Sequence, residues 1–597
     1  MKESILKFSL PAAIVILLAA GCAKQAAPVG GPKDVTPPDV VKSSPKSGTT
    51  LFKEKSILIT FNEYFTLDKL NEKFMMSPPA KTKPKIYAKD KTLHIDFRED
   101  LKDSTTYTLY FQDIIRDLNE GNPIPNFQYV FSTGSVLDSL SVTGNVVLSH
   151  NLESGKNILM MLYADLADSA PRKSFPDYLT IADVNGYFRI NNIKAGKYRL
   201  YALEDLNSNN KYDPPDEAFA FFDSVLYVNP EKNFKLPDPE IKDTVKVKKG
   251  EKASKKVPFR YGDHKLFLFN GEKKAHYLVS SDRKMAYQFM YYLSLPPDTM
   301  KFRFRFEDNG SYNYFREKNT AGDTVMIWLR DSSLYLKPTI RTVVEFPYTD
   351  STGNNIYKRD SIAMRFTIPT RPGKAKQQST FKVNVNVSPA GIKPGQKIIF
   401  SSSTPLRPPD TTKIRLYRIH DKTRTREPVI FRGDSLNSRN YFLTNKFNVG
   451  DKYLFIRDKG SFSNIYGEMS DSSGFNINVR ETDSYGHLTL DVRNGNGNLI
   501  VQLLSDKESV LEERFLKNSG MADFPLLEPG VYRVKVIYDI NGDGKWTTGD
   551  FSMQRQPEPV SYFHQEITVK ADWEYVEIWD IGESHLKGET LKEKKEQ

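Results

Sequence analysis

The chain has 597 residues, and its 85 Lys and Arg against 74 Asp and Glu leave a formal charge of +11. That length calls for about four to six domains at roughly 100 to 150 residues each. With 39% hydrophobic and 27% charged residues it can bury cores, and collagen, coiled-coil and polytopic membrane classes are excluded.

The small positive excess is dispersed rather than gathered into a basic stripe, so no nucleic-acid partner is expected. The 37 Phe, 31 Tyr, 35 Pro and 34 Gly fall as short Val, Ile, Tyr and Phe runs broken by turns. That pattern predicts an all-β fold of tandem β-sandwiches. A single Cys excludes any intramolecular disulfide and needs a reason of its own.

Residues 1–21 place Lys2 and Lys7 ahead of an apolar run over 11–20, too short to span a bilayer and laid out as an export signal. Leu18-Ala19-Ala20-Gly21-Cys22 resembles the bacterial lipobox. The resemblance implies cleavage before Cys22, lipidation of Cys22 with palmitate-type chains, and a lipid anchor in the outer membrane. At about 0.8 kcal/mol per buried methylene, several chains would anchor the protein essentially permanently. Residues 22–39, with Gly30, Gly31, Pro32, Pro37 and Pro38, read as a flexible tether. Residues 23–29 contain no acidic cluster, which leaves both the periplasmic and the cell-surface face open.

Residues 40–134 alternate strands and turns at about ten-residue spacing, with Ile57-Leu-Ile-Thr-Phe61, Leu93-His-Ile-Asp-Phe97, Thr106-Tyr-Thr-Leu-Tyr-Phe111 and a closing Phe131-Ser-Thr-Gly134. They resemble the bacterial Ig-like domain first known from S-layer proteins. Residues 135–240, with Asn185-Gly-Tyr-Phe-Arg-Ile190 and Gly196-Lys-Tyr198-Arg199, resemble a prealbumin-like β-sandwich. Residues 241–257 hold a lysine-rich run and read as a solvated linker, with a surface for anionic lipid or glycan as the alternative. A β-sandwich of uncertain type is expected over 258–375, where Tyr287, Phe289, Tyr291 and Tyr292 read as core aromatics. A second Ig-like sandwich is expected over 376–480 and a second prealbumin-like one over 481–580, with a disordered polar tail over 581–597. Gly196-Lys-Tyr198-Arg199 stands nine residues before Asp205, and Gly530-Val-Tyr532-Arg533 nine before Asp539, so the two halves read as an internal repeat.

One pattern carries chemistry. Asp539, Asn541, Asp543, Thr547 and Asp550 put oxygen side chains at positions 1, 3, 5, 9 and 12 of a loop with Gly544 at position 6. A hard cation wants six to eight oxygens, a sharp central turn and a carboxylate closing from the far end. Position 7, where such loops offer a backbone carbonyl, is Lys545. The earlier copy is Asp205, Asn207, Asn209, Lys211 and Asp216, with Asn210 in place of the glycine, a residue that accepts positive φ better than most. Both copies resemble calcium loops grafted on a β-sandwich, and structural Ca²⁺ is the expected cofactor. Asx turns alone would account for the same residues.

Eight scattered His, no His-Glu-x-x-His, no Gly-x-Ser-x-Gly elbow and no phosphate-cradling glycine loop argue against an enzyme. The whole chain resembles the Ig-like-domain lipoproteins of Bacteroidota, through Gly30-Gly31-Pro32-Lys33-Asp34, the first Ig-like module and the closing loop before Arg555-Gln-Pro-Glu-Pro559. The resemblance implies an outer-membrane-anchored, non-enzymatic scaffold or assembly subunit with envelope proteins as partners. A glycan-binding or adhesive surface protein is the alternative, and a cell-wall hydrolase a third reading.

Overall fold

The computed structural model describes residues 34–214, 216–230, 262–271, 275–297, 301–350, 354–366, 381–421 and 423–582. The signal segment, Cys22, the linker over 241–257 and almost all of the 581–597 tail lie outside the described residues. What is described is all-β, with only single-turn helices between strands. The chain forms two compact units.

The first unit takes the described residues of 34–145, 156–211 and 222–265. Its opening sandwich faces the sheet Val40–Ser44, Ser56–Phe61, Thr92–Asp96 and Lys85–Lys89 against Met75–Ser77, Thr106–Gln112 and Phe127–Ser132. Strand alternation makes the core. Ile57, Ile59 and Phe61 are buried while Ser56, Leu58 and Thr60 point the other way, and the register Ile57↔Ile95 and Ile59↔Leu93 sets two apolar rows side by side. A one-residue slip would turn every one of them to solvent, so burial fixes the register. Each such side chain contributes about 1.5 to 3 kcal/mol.

Beyond it, Leu159–Tyr163 lies between Tyr178–Ile181 and Gly196–Leu203, and Leu226–Val228 joins the start of the latter. Two glycines let chain segments cross. A Cβ on Gly262 would sit 2.2 Å from Gly144 Cα, and one on Gly144 would meet the His264 carbonyl at 2.3 Å. The crossing is held by Gly262 N–H donating to Asn145 Oδ1 (2.7 Å) and by Thr143 Oγ1 donating to Asp263 Oδ2 (2.8 Å).

The second unit takes 146–155, 212–221 and the described residues from 266 onward. Here one boundary read from sequence is corrected. His264–Asn270, expected inside a sandwich opening at 258, pairs antiparallel with Ala218–Phe221 through Ala218↔Asn270 and Phe219↔Phe269. The next sandwich begins its strands at Leu278. Its two sheets close over Phe289 and Tyr291, both fully buried, with the Tyr291 hydroxyl bonded to Thr342 Oγ1 at 2.9 Å. The core reading holds for those two aromatics. Residues 381–479 form a further pair of four-stranded sheets around Phe400, Phe455 and Phe462.

The last sandwich packs Gly520–Leu527, Gly486–Arg493 and Glu574–Asp580 against Val510–Lys517, Asn498–Leu504, Gly530–Asp539 and Val560–Tyr562. Glu574–Asp580 runs parallel to Gly486–Arg493, from His487↔Glu574 to Arg493↔Asp580. In Asn498–Leu504 every residue after the first is buried. Leu499, Val501 and Leu503 face the sandwich core, and Ile500 and Leu504 turn outward against Val147 and Leu152. Burial on both faces accounts for its nearly unbroken apolar run.

Candidate calcium loops

The strand Gly530–Asp539 delivers Asp539, 5% exposed, to the base of its loop. Its carboxylate organises the turn. Oδ1 accepts the Gly542 and Asp543 N–H groups (2.8 and 3.1 Å), and Oδ2 accepts that of Gly544 (3.1 Å). Asn541 Oδ1 accepts from Asp543 N–H (2.8 Å) and Asp543 Oδ1 from Lys545 N–H (3.0 Å), so each oxygen side chain caps the amide two residues on. Gly542 and Gly544 stand at φ 74° and 77°, in the left-handed region where a glycine carries no Cβ penalty.

The closing carboxylate is Glu558. It is 5% exposed, its Oε1 accepts the Ile540 and Asn541 N–H groups (2.8 and 3.2 Å), and its Oε2 accepts Thr547 N–H (2.9 Å). Asp550, expected at that position, instead caps the short turn Phe551–Met553 by accepting from Ser552 N–H at 3.0 Å. The indole of Trp546 donates to the Glu558 carbonyl at 2.9 Å.

The earlier loop repeats the ladder. In the first unit, Asp205 Oδ1 and Oδ2 accept from Asn209 and Asn210 N–H (3.2 and 2.9 Å), Asn207 Oδ1 from Asn209 N–H (3.0 Å), and Asn209 Oδ1 from Lys211 N–H (2.7 Å). In the second unit, Asp213 N–H donates to Oε2 of the buried Glu217 at 2.9 Å, while Asp216 is exposed. Asp213 and Thr547 both stand eight residues after the leading Asp. Glu217 takes the Asp213 N–H as Glu558 takes that of Thr547, and the twelve-position reading passes over both. The available signal is their place just ahead of Ala218–Phe221 and Val560–Tyr562. The adjoining strands repeat as well: Tyr198 donates to the Lys194 carbonyl (2.9 Å) and Tyr532 to that of Glu528 (2.6 Å), each four residues back.

Chemically the 539–558 loop is an oxygen-rich turn with three buried carboxylates, Asp539, Asp550 and Glu558, committed to backbone N–H groups. Among the described residues, no three His, Cys, Asp or Glu stand together as a metal-holding group. Cation binding here would therefore lean on the Asn541 amide oxygen and the Lys545 carbonyl beside Asp539 and Asp543. In the first unit a cleft of about 420 Å³ runs past Asp205, Ser208 and Asn210 to Lys73, Met76 and Lys83. Phe74 is the one aromatic in its lining, which gives sugar rings no broad stacking platform.

Among solved structures the chain overlaps native alpha-2-macroglobulin from Escherichia coli spanning domains MG0-NIE-MG1, at 9% identity over 44% of this chain and 94% of that one, with a TM-score of 0.16. It overlaps domains 1–6 of surface layer protein SbsC at 10% identity, 90% and 67% coverage and a TM-score of 0.13. For the BSP domain of a biofilm associated protein the figures are 8%, 92% and 99%, and 0.11. Scores this low carry no function across. No curated protein matches the chain. Among the described residues no helix is long and apolar enough to cross a membrane. Residues 34–133 match the bacterial Ig-like domain, and their paired sheets are the sandwich that this family name denotes.

Proposed function

We propose that the chain is a non-enzymatic, multi-sandwich scaffold of the bacterial envelope, tethered to the outer membrane by lipid on Cys22 and holding other envelope proteins. The observation that carries this reading is the economy of the described fold. Successive sandwiches spend their aromatic and aliphatic residues on cores, and their buried carboxylates, as at Asp117, Asp539 and Glu558, on capping backbone N–H groups. What such modules present outward is strand edges and loop ends, the parts that sandwich proteins use for recognition.

The test is a mild-detergent pull-down of the tagged full-length protein from its native envelope, quantified against an untagged control. Stoichiometric envelope proteins are expected. Recovery of the chain alone, together with binding to purified surface polysaccharide, would replace the scaffold by the adhesive reading. Cys22→Ala should release the protein from the membrane fraction.

Calcium belongs to the same reading as a stiffener of the 539–558 loop through Asp539, Asn541, Asp543 and the Lys545 carbonyl. Added Ca²⁺ should raise the melting temperature of the mature protein by a few degrees and EDTA reverse it. Asp205→Ala and Asp539→Ala then separate the two loops. An identical melting curve with and without Ca²⁺ removes the metal from the account.

A further inference from the structure

Strand edges in this molecule are mostly guarded. Lys85–Lys89, Asn355–Arg365, Thr423–Glu427 and Val510–Lys517 each lie at a sheet edge and each carry Lys or Arg, and Gly520–Leu527 carries Pro525. Such residues discourage a further strand from pairing. Glu574–Asp580 is among the edges without such guards, as Phe127–Ser132 and Ser473–Asn478 are, and differs from those two in its exposed acids. It is the last strand of its sheet, paired only with Gly486–Arg493 among the described residues, and it contains no Lys, Arg or Pro.

Its outward row reads Glu574, Val576, Ile578, Asp580, acid, aliphatic, aliphatic, acid. Val576 is 69% and Ile578 54% exposed. Met521, 67% exposed, stands on the same face but is separated from Ile578 by Asp491, which pairs with both. On the inward row Trp579 is buried in the core, and Glu577 sits half-exposed at the margin. Neither Glu574 nor Glu577 forms an ion pair among the described residues, in a chain whose net charge is +11.

A second copy of the same edge does not fit. Antiparallel pairing about Glu577 would set Glu577 against Glu577 and Glu574 against Asp580, and like charges directly opposite are destabilising.

We propose that Glu574–Asp580 is the docking edge for an extended segment of a partner protein, added as a further strand, with Lys or Arg opposite Glu574, Glu577 and Asp580 and aliphatic side chains opposite Val576 and Ile578. Backbone hydrogen bonds along the edge supply the attachment, and the acid-aliphatic-aliphatic-acid row supplies the selectivity. The proposal rests on the scaffold reading above and names the chemistry of the partner that the scaffold would hold.

The probe is a fluorescent peptide of sequence Lys-Thr-Val-Lys-Ile-Thr-Lys, titrated against the full mature chain in mild detergent and read by anisotropy. Saturable binding is expected, weakened at least tenfold for the peptide with Glu in place of its three Lys and for a backbone N-methylated version. In the variant Glu574→Lys/Glu577→Lys the preference should invert toward the Glu peptide. Ile578→Lys should abolish binding of the Lys peptide, with an unchanged melting curve certifying the fold. Equal binding of both peptides, or a preference that ignores Glu577→Lys, overturns the proposal. A pull-down rich in partners that Glu577→Lys leaves untouched would sink this edge and spare the scaffold, whereas a pull-down without partners would sink the scaffold itself.

Discussion

The loops at 205–217 and 539–558 run the same ladder of Asp and Asn side chains onto amides, yet they meet its backbone demand with different residues. Positions 4 and 6 are left-handed in both, at φ 60° and 56° for Ser208 and Asn210 and at φ 74° and 77° for Gly542 and Gly544. Left-handed backbone costs an ordinary L-residue about 1 to 2 kcal/mol, less for Asn and almost nothing for Gly. The path therefore comes from the capping side chains, with glycine lowering its cost in the later copy. The copies also differ in reach. In sequence Glu217 stands twelve residues after Asp205 and Glu558 nineteen after Asp539, and the extra chain in the later segment carries Gly549 and Phe551. Phe551 lies among Tyr212, Phe219 and Phe221, and a Cβ on Gly549 would strike the Phe269 ring at 2.6 Å. The longer loop thus caps its own turn and fills an aromatic cluster of the second unit.

Hydrogen exchange of the peptides covering each loop would break or sharpen this comparison, because it reads local opening without requiring the chain to unfold as one unit. The largest effect is expected for Asp539→Ala, which orphans the Gly542 and Gly544 amides while Asp543 N–H keeps Asn541 Oδ1, and should lower local protection by about 2 kcal/mol. Glu558→Gln keeps one acceptor but turns an amide N–H₂ toward a backbone donor. A loss of about 1.5 kcal/mol is expected, felt at Ile540, Asn541 and Thr547 together. Asp205→Ala removes the Oδ2 acceptor of the Asn210 amide, while Asn209 N–H keeps Asn207 Oδ1, and should cost about 1 kcal/mol. A loss at Asp205 equal to or larger than that at Asp539 would mean that the two ladders are not built alike. The smallest changes belong to position 6. Gly544→Asn should cost under about 1 kcal/mol and Asn210→Gly should shift protection by less than about 0.5 kcal/mol. A collapse of the later loop in Gly544→Asn would show that glycine, and not the ladder, holds it.

Much of this architecture was readable in the chain. Ile57, Ile59 and Phe61 alternate visibly, and pairing with Leu93 and Ile95 puts them where alternation says. The leading Asp and the oxygen spacing of both loops were equally visible. The closing glutamates were not, because a twelve-position template borrowed from helical loops looks for its last ligand at Asp550 and Asp216, whereas here a following strand brings in Glu558 and Glu217. His264–Asn270 was misplaced for a related reason. Its partner Ala218–Phe221 lies some fifty residues upstream, and local pattern carries no record of which distant strand a segment joins.

The parallel pairing of Gly486–Arg493 with Glu574–Asp580 has a mechanical side. The strand that opens the last sandwich and the strand that closes it lie side by side and point the same way, so the chain enters that module at one end of the pair and leaves it at the other. Tension applied between these two ends slides the strands past each other, loading all seven partnered positions from His487↔Glu574 to Arg493↔Asp580 at once rather than peeling them apart one by one. An antiparallel terminal pair, with entry and exit at the same end, would unzip under the same pull. The last module is thus strung in shear, the arrangement in which a short ladder resists force best.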